Sequence, residues 1–332
     1  LLRVVPGALA MVFLISLTSF AVALTLGGGP RATTLELAIY QAFRFDFDLG
    51  RAALLALLQA AIGMLALLAL ARLTLPEPGA TGLDRLAPAP PGGVARSLDA
   101  GWIGVAALFL LLPLSLVVLR GAPHLAGLPP AVWRALGQSL LVAGLSVLLL
   151  AALVAALTLG GLLRRWPEGI GMASLVASPL VIGTGLFIVI HPLADPARFA
   201  LAVTALVNAA MALPFALRAV LPAARRAQAD YARLSAALGL GFGGHLRWVL
   251  WPRLRRPAGF ALGLGAALSM GDLGVIVLFA QTGGETLPLQ LQRLMGAYRT
   301  DAAAGAALLL LLASLAAFAG LERMIGGRDA DT

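Results

Sequence analysis

Apolar runs of about twenty residues recur along the chain, separated by shorter polar stretches, and each has the length a helix needs to cross roughly 30 Å of hydrocarbon. The pattern predicts eight membrane-spanning helices, over residues 4–26, 52–73, 101–119, 136–160, 169–191, 199–221, 257–280 and 302–321. The expected fold is therefore an all-α membrane protein, a polytopic helical bundle whose solvent is lipid. Between positions 76 and 93 the chain reads PEPGATGLDRLAPAPPGG; proline and glycine interrupt any regular helix there, so the stretch reads as a flexible linker. The first span is too long for the apolar core of a secretory signal and is followed by further spans, so it counts as structure.

Composition agrees with this picture and narrows the chemistry. The 332 residues are 60% hydrophobic and 12% charged, with a mean hydropathy of +0.95. There is no cysteine, and the three histidines are far apart in sequence, so disulfides, thiolate metal sites and a recognisable metal spacing are all missing and no cofactor is expected. The net charge is +9 and every basic residue is arginine, which taken alone would fit a nucleic-acid partner. Placement argues otherwise. If residues 222–256 are cytoplasmic, sixteen of the 24 arginines fall on that side, as the positive-inside rule requires. The expectation is a multi-pass protein of a bacterial inner membrane with both chain ends cytoplasmic, lipid as a partner and no nucleic acid.

A short repeat sits inside this pattern. Thr34-Leu35-Glu36-Leu37 and Thr286-Leu287-Pro288-Leu289 lie 252 positions apart, each after an apolar span and a glycine-bearing loop (Gly27 to Gly29; Gly283, Gly284) and each before another span. The shared order points to two related halves. Residues 1–75 then hold the last two spans of a first half and 76–99 a cytoplasmic linker. Residues 100–325 hold a six-span half with its loop at 222–256. A chain lacking most of its first half is the expectation, and the start at Leu1-Leu2-Arg3 is in keeping with it.

Within the spans, Asp272 stands out in Ser269-Met270-Gly271-Asp272-Leu273-Gly274, because an ionised carboxylate facing lipid costs about 3 kcal/mol. Two readings stand level: Asp272 faces a transport pathway, or it caps a broken helix or pairs with an arginine. Gly271 and Asn208 are further pathway candidates, with Pro214, Gly183 and Gly185 as possible hinges, although such residues most often glue helices together. Gly263, Gly265 and Gly274 narrow the same span, and packing is the commoner reason. His191 carries no functional expectation. The aromatic loop segments at 43–48 and 298–301 either dock a soluble partner or anchor helix ends at the interface.

The most informative stretch is YARLSAALGLGFGGHLRWVLWPRLRRP, residues 231–257. It resembles the signature loop of ABC importer permeases, in which an EAA segment is followed by glycine and, at fixed spacing, by apolar residues and proline. Tyr231, Ala236, Ala237, Gly239, Val249, Trp251 and Pro252 form the matching set, whereas Arg233, Leu234 and Ser235 stand where Glu-Ala-Ala is usual. The resemblance implies a type I ABC importer permease fold, with a short coupling helix docking into a groove on a separate ATP-hydrolysing subunit. The residues themselves predict a helix over 231–238, a break over 239–244 and a second helical piece from Leu246. The plainer reading is a basic loop that anchors helix ends to anionic lipid.

Two longer blocks, GGGPRATTLELAIYQAFRFDFDLGRAALLALL and SMGDLGVIVLF followed by TLPLQLQRLMGAYR, resemble the permeases of thiamine importers. That likeness implies thiamine as cargo, and ABC ATPase subunits and a periplasmic or extracellular thiamine-binding protein as partners. The chain has no phosphate-binding glycine loop and no lysine, so ATP hydrolysis is expected of the partner ATPase and not of this chain, which is read as a transport subunit and not an enzyme. Permeases for ferric iron, polyamines or sulfate share the layout, and an ion-driven secondary transporter would also fit the repeat. An intramembrane enzyme is disfavoured, since the acids and histidines do not cluster.

Overall fold

The computed structural model describes residues 16–26, 33–72, 93–162, 177–279 and 285–327, together with residues 9, 12, 13 and 174. Everything regular among them is helical. In chain order the helices are α1 (Phe20–Leu26), α2 (Leu35–Arg44), α3 (Leu49–Arg72), α4 (Gly93–Gly121), α5 (Pro130–Gly161), α6 (Pro179–Ile190) and α7 (Ala200–Ala237). There follow α8, which is continuous from Phe242–His245 through a π turn at Leu246–Leu250 into Trp251–Gly271, then α9 (Ile276–Phe279), α10 (Leu287–Gly296) and α11 (Thr300–Gly326). Six stretches are long and apolar enough to span a membrane by themselves, in α3, α4, α5, α7, α8 and α11. Of the other two expected spans, the fifth is represented by the twelve-residue α6 and the first by α1 and a few residues before it. The stretch 73–92, which holds nearly all of the expected linker, and the loops around Gly27 to Gly29, Gly283 and Gly284 lie outside the described residues; α4 already begins at Gly93.

The centre of the molecule is α8. It packs along α7, α5 and α11, with buried Leu150, Leu213, Leu217, Leu250 and Leu254 filling the seams. Small residues make the approach to α11 close: a Cβ added at Gly263 would lie 2.8 Å from the Phe318 carbonyl oxygen, and one at Gly259 would lie 2.9 Å from the Gly326 backbone nitrogen. This is small-residue packing at a four-residue spacing, the arrangement that lets helix backbones meet where lipid gives no hydrophobic reward for association. A second cluster joins α1, α2, α3 and α6 to the start of α7 and to residues 273–279. Phe187 sits at its middle, edge-on to Phe43 at 4.5 Å and to Phe279 at 5.4 Å. By contrast α4 touches mainly α11, and no side chain of its apolar window is buried, as expected of a helix bathed in lipid.

The repeat extends into local geometry. Thr34 and Thr286 are both extended N-caps (φ, ψ of −81°, 162° and −78°, 162°), and each opens a ten-residue helix. Each helix ends near a non-glycine residue in the left-handed region, Phe47 (φ 52°) and Tyr298 (φ 57°), before a long apolar helix begins. Upstream of each lies an interruption followed by a short helix: residues 18–19 before α1, and residues 272–275 before α9.

Residues 222–256 differ from expectation. They are not a loop after a span that ends at Leu221, because α7 runs unbroken for 38 residues through Pro214 and Pro222. The alanine-rich segment 223–237 propagates helix strongly enough to carry the chain past Pro222. At 1.5 Å per residue α7 is about 57 Å long, nearly twice the hydrocarbon thickness. The interruption falls at residues 238–241, not 239–244, and the second helix starts at Phe242 instead of Leu246. Residues 200–271 thus form a two-helix hairpin that rises well beyond one face of the bundle.

Two glycine substitutions separate packing from open space. Gly263→Ala should destabilise the protein by about 1–3 kcal/mol, since its methyl group meets α11 backbone, whereas Gly271→Ala meets nothing within 4 Å and should stay within about 0.5 kcal/mol of wild type. Thermal unfolding of the detergent-purified variants measures both.

Candidate functional site

Two places in the fold concentrate unusual chemistry: the tip of the α7–α8 hairpin, and a polar cavity between the two helix interruptions.

The hairpin tip is closed by a Schellman motif. The Gly239 N–H donates to the Ala236 carbonyl at 3.0 Å and the Leu240 N–H to the Ser235 carbonyl at 2.9 Å, with Gly239 at φ 65°. A side chain at this φ would be strained, which accounts physically for the glycine. His245, at the start of α8, ties the turn back onto α7: Nε2 lies 2.7 Å from Gln228 Oε1, and Nδ1 lies 2.8 Å from Ser235 Oγ. An amide oxygen only accepts, so Nε2 donates to it, and in the neutral ring Nδ1 accepts from the serine hydroxyl. Farther from the tip, the Arg253 guanidinium lies over the Tyr231 ring at 3.8 Å and donates from Nη1 to the Val249 carbonyl at 2.9 Å. That carbonyl belongs to the π turn, where the ladder shifts register ahead of Pro252, which has no N–H to give.

The matching set is therefore divided in role. Tyr231, Ala236 and Gly239 close the hairpin, and Val249 is buried within it. Ala237, Trp251 and Pro252 are exposed, Trp251 beside an apolar groove of about 510 Å³ between α5 and α8. Leu234, Leu238 and Phe242 also project from the tip, each more than half exposed, next to Arg233 and Arg247. The sequence comparison had not singled out this apolar knob. Together these leucine and phenylalanine side chains form an exposed apolar patch at the hairpin tip.

The polar cavity, about 160 Å³, lies between residues 18–21 on one side and 271–274 on the other. Asp272 and Gly271 both line it. So does Glu36, on α2, which is 1% exposed. Gln59 Nε2 donates to Glu36 Oε1 at 2.5 Å and to the Leu17 carbonyl at 3.3 Å, holding α2 and α3 to the chain before α1. The Gly274 N–H donates to Asp272 Oδ1 at 3.3 Å, so the aspartate does brace the broken end of α8. The remaining carboxylate oxygens, Glu36 Oε2 and Asp272 Oδ2, are buried without a hydrogen-bond partner. Sequence reasoning missed Glu36 because it falls between spans, in a segment read as a loop. The available signal was the repeat itself, where Glu36 stands opposite Pro288.

Asn208 is elsewhere. Its Nδ2 donates to Ser269 Oγ at 3.0 Å, and Ser269 Oγ is in turn 3.0 Å from Ser146 Oγ. This chain of hydrogen bonds fastens α7, α8 and α5 together below the cavity without lining it. Of the aromatic segments, Phe45, Phe47 and Tyr298 are largely exposed at the ends of α2 and α10, while Phe43 is buried. Among the described residues no group of histidines and acids is placed to hold a metal ion.

At Gly239, valine should be poorly tolerated and asparagine well, because only the former excludes the left-handed conformation. Proteolytic nicking at residues 238–241 should rise in Gly239→Val and stay near wild type in Gly239→Asn.

No family model matches the chain. Curated relatives do. A thiamine transport system permease protein of Brucella abortus is 40% identical over 98% of the chain. The protein of the same description from Escherichia coli is 34% identical over 98%, and that from Haemophilus influenzae 33% identical over 92%. The chain spans 62%, 63% and 60% of these three proteins, respectively. Over nearly its whole length, then, this multi-helix membrane chain is related to thiamine transport system permease proteins, as a stretch amounting to about three fifths of each.

Proposed function

We propose that this chain is part of the membrane permease of an ATP-driven importer for thiamine, in a bacterial inner membrane with its hairpin on the cytoplasmic side. The observation that carries the reading is the joint presence of chain-wide likeness to thiamine transport permeases and a rigid hairpin with an apolar tip. In this reading the knob formed by Leu234, Leu238 and Phe242 seats in a partner ATPase, which binds and hydrolyses ATP. A soluble thiamine-binding protein delivers cargo at the opposite face, where Phe45, Phe47 and Tyr298 are exposed.

The geometry supplies the transmission. α8 runs without interruption from the tip at Phe242 to Gly271, about 45 Å at 1.5 Å per residue. Its far end borders the cavity that holds Glu36 and Asp272. A displacement of the tip by ATPase closure is therefore delivered, through one stiff helix, to the place where α8 breaks. The arginine excess of the hairpin side favours the cytoplasmic placement.

The test is thiamine-stimulated ATP hydrolysis by the permease reconstituted with its ATPase and binding protein. Phe242→Glu, at an exposed tip residue, and Gly239→Asp, within the closing turn, should each lower stimulation by about tenfold or more while the folded permease is retained. Stimulation by a different solute and its binding protein, with none by thiamine, would keep the importer and end the thiamine assignment. Full stimulation in Phe242→Glu would remove the hairpin from coupling.

A further inference from the structure

We propose that the cavity between the two helix interruptions is a subsite for the charged ring of an organic monovalent cation, with Glu36 and Asp272 as the carboxylates that select it. The inference deepens the import reading and rests on it. Two acids alone would not make a site. Here, however, Glu36 is 1% exposed and its Oε2 has no hydrogen-bond partner, although its other oxygen accepts from Gln59. Asp272 repeats the arrangement: Oδ1 accepts from the Gly274 N–H, and Oδ2 is buried without a partner. Both residues line the same cavity.

A buried carboxylate oxygen without a donor is costly, and two around one cavity cost more unless something positive lies between them. Among the described residues that line it there is no arginine or histidine. A mobile cation is the missing counter-charge. The cavity, about 160 Å³, has room for one five-membered ring. An added Cβ at Gly271 would meet nothing within 4 Å, so that wall is open for a ring to lie against. Backbone outside regular helix, on both sides of the cavity, is the form that membrane-buried ligand sites take where irregular chain is shielded from lipid.

The probe is 3,4-dimethyl-5-(2-hydroxyethyl)thiazolium, compared with the neutral 4-methyl-5-(2-hydroxyethyl)thiazole, which has nearly the same shape and no charge. Equilibrium dialysis against the chain in lipid nanodiscs measures binding of each to wild type, Glu36→Gln, Asp272→Asn and the double variant. Wild type should bind the thiazolium about tenfold or more tightly than the thiazole, and each single variant should weaken thiazolium binding by about tenfold. Three results would overturn the subsite: equal binding of the two rings by wild type, undiminished binding by the double variant, or displacement of the thiazolium by an equal concentration of sodium chloride. The first comparison uses wild type alone and stands even if a variant fails to fold. Thiazolium binding without thiamine-stimulated ATP hydrolysis would reject the cargo and keep the subsite; stimulation without thiazolium preference would do the reverse.

Discussion

Hydrocarbon offers no partner to a backbone N–H or C=O, and the rest of the structure follows from that constraint. Every regular element among the described residues is a helix, and most of the long ones are continuous even where proline should end them, as at Pro113, Pro214, Pro222 and Pro257. Against this background the interruptions are informative. The chain leaves helical geometry at residues 18–19 and 272–275, and these two places face each other across one polar cavity. Their exposed backbone is sheltered by the surrounding protein, and Asp272 takes up the Gly274 N–H that the break sets free.

Between those interruptions and the outside of the bundle stands α8. Its glycines let α11 approach to backbone contact, its Ser269 bonds to Asn208 and Ser146, and its extension towards the hairpin tip is fastened to α7 by His245, by Arg253 over Tyr231 and by the glycine turn. Each of these contacts stiffens the same rod. One end of it reaches the exposed knob, and the other borders the cavity and leads into the buried segment 273–279. In the importer proposed above, the chain would contribute geometry and a partner subunit the chemical energy.

Much of this was legible in the sequence because bilayer thickness sets a length that hydropathy displays directly. All six long apolar helices were anticipated, but α4 begins eight residues earlier than expected, α7 ends sixteen later and α8 begins fifteen earlier; the Thr34 and Thr286 match at an offset of 252 pointed to two related halves, and the ten-residue helices that follow both threonines emerged only in the structure. The hairpin was misjudged because Pro222 and polar composition looked like the end of a span, whereas the helix continues unbroken to Ala237 through an arginine- and alanine-rich segment that favours helix. Gly239 was identified from motif spacing, but its reason, a left-handed turn, required coordinates. Asn208 was a pathway candidate on polarity alone and turned out to be committed to Ser269. Glu36 escaped because burial of a charged residue in a short amphipathic helix depends on what packs over it, namely Gln59 and the chain around Leu17, and no local pattern reports that.

The central claim is that α8 moves as one body and carries tip displacement to the break at Asp272. These 332 residues hold no cysteine, so paired spin labels can be placed without background from this stretch. One pair, at Gly243→Cys and Leu268→Cys, lies within α8; another, at Leu268→Cys and Thr25→Cys, spans the cavity region, and all three positions are exposed. On ATP binding to the assembled transporter, the first distance should stay fixed while the second shifts. A change in the first distance with the second unmoved would mean that the hairpin flexes on its own, and the account of α8 as the transmitting element would be wrong.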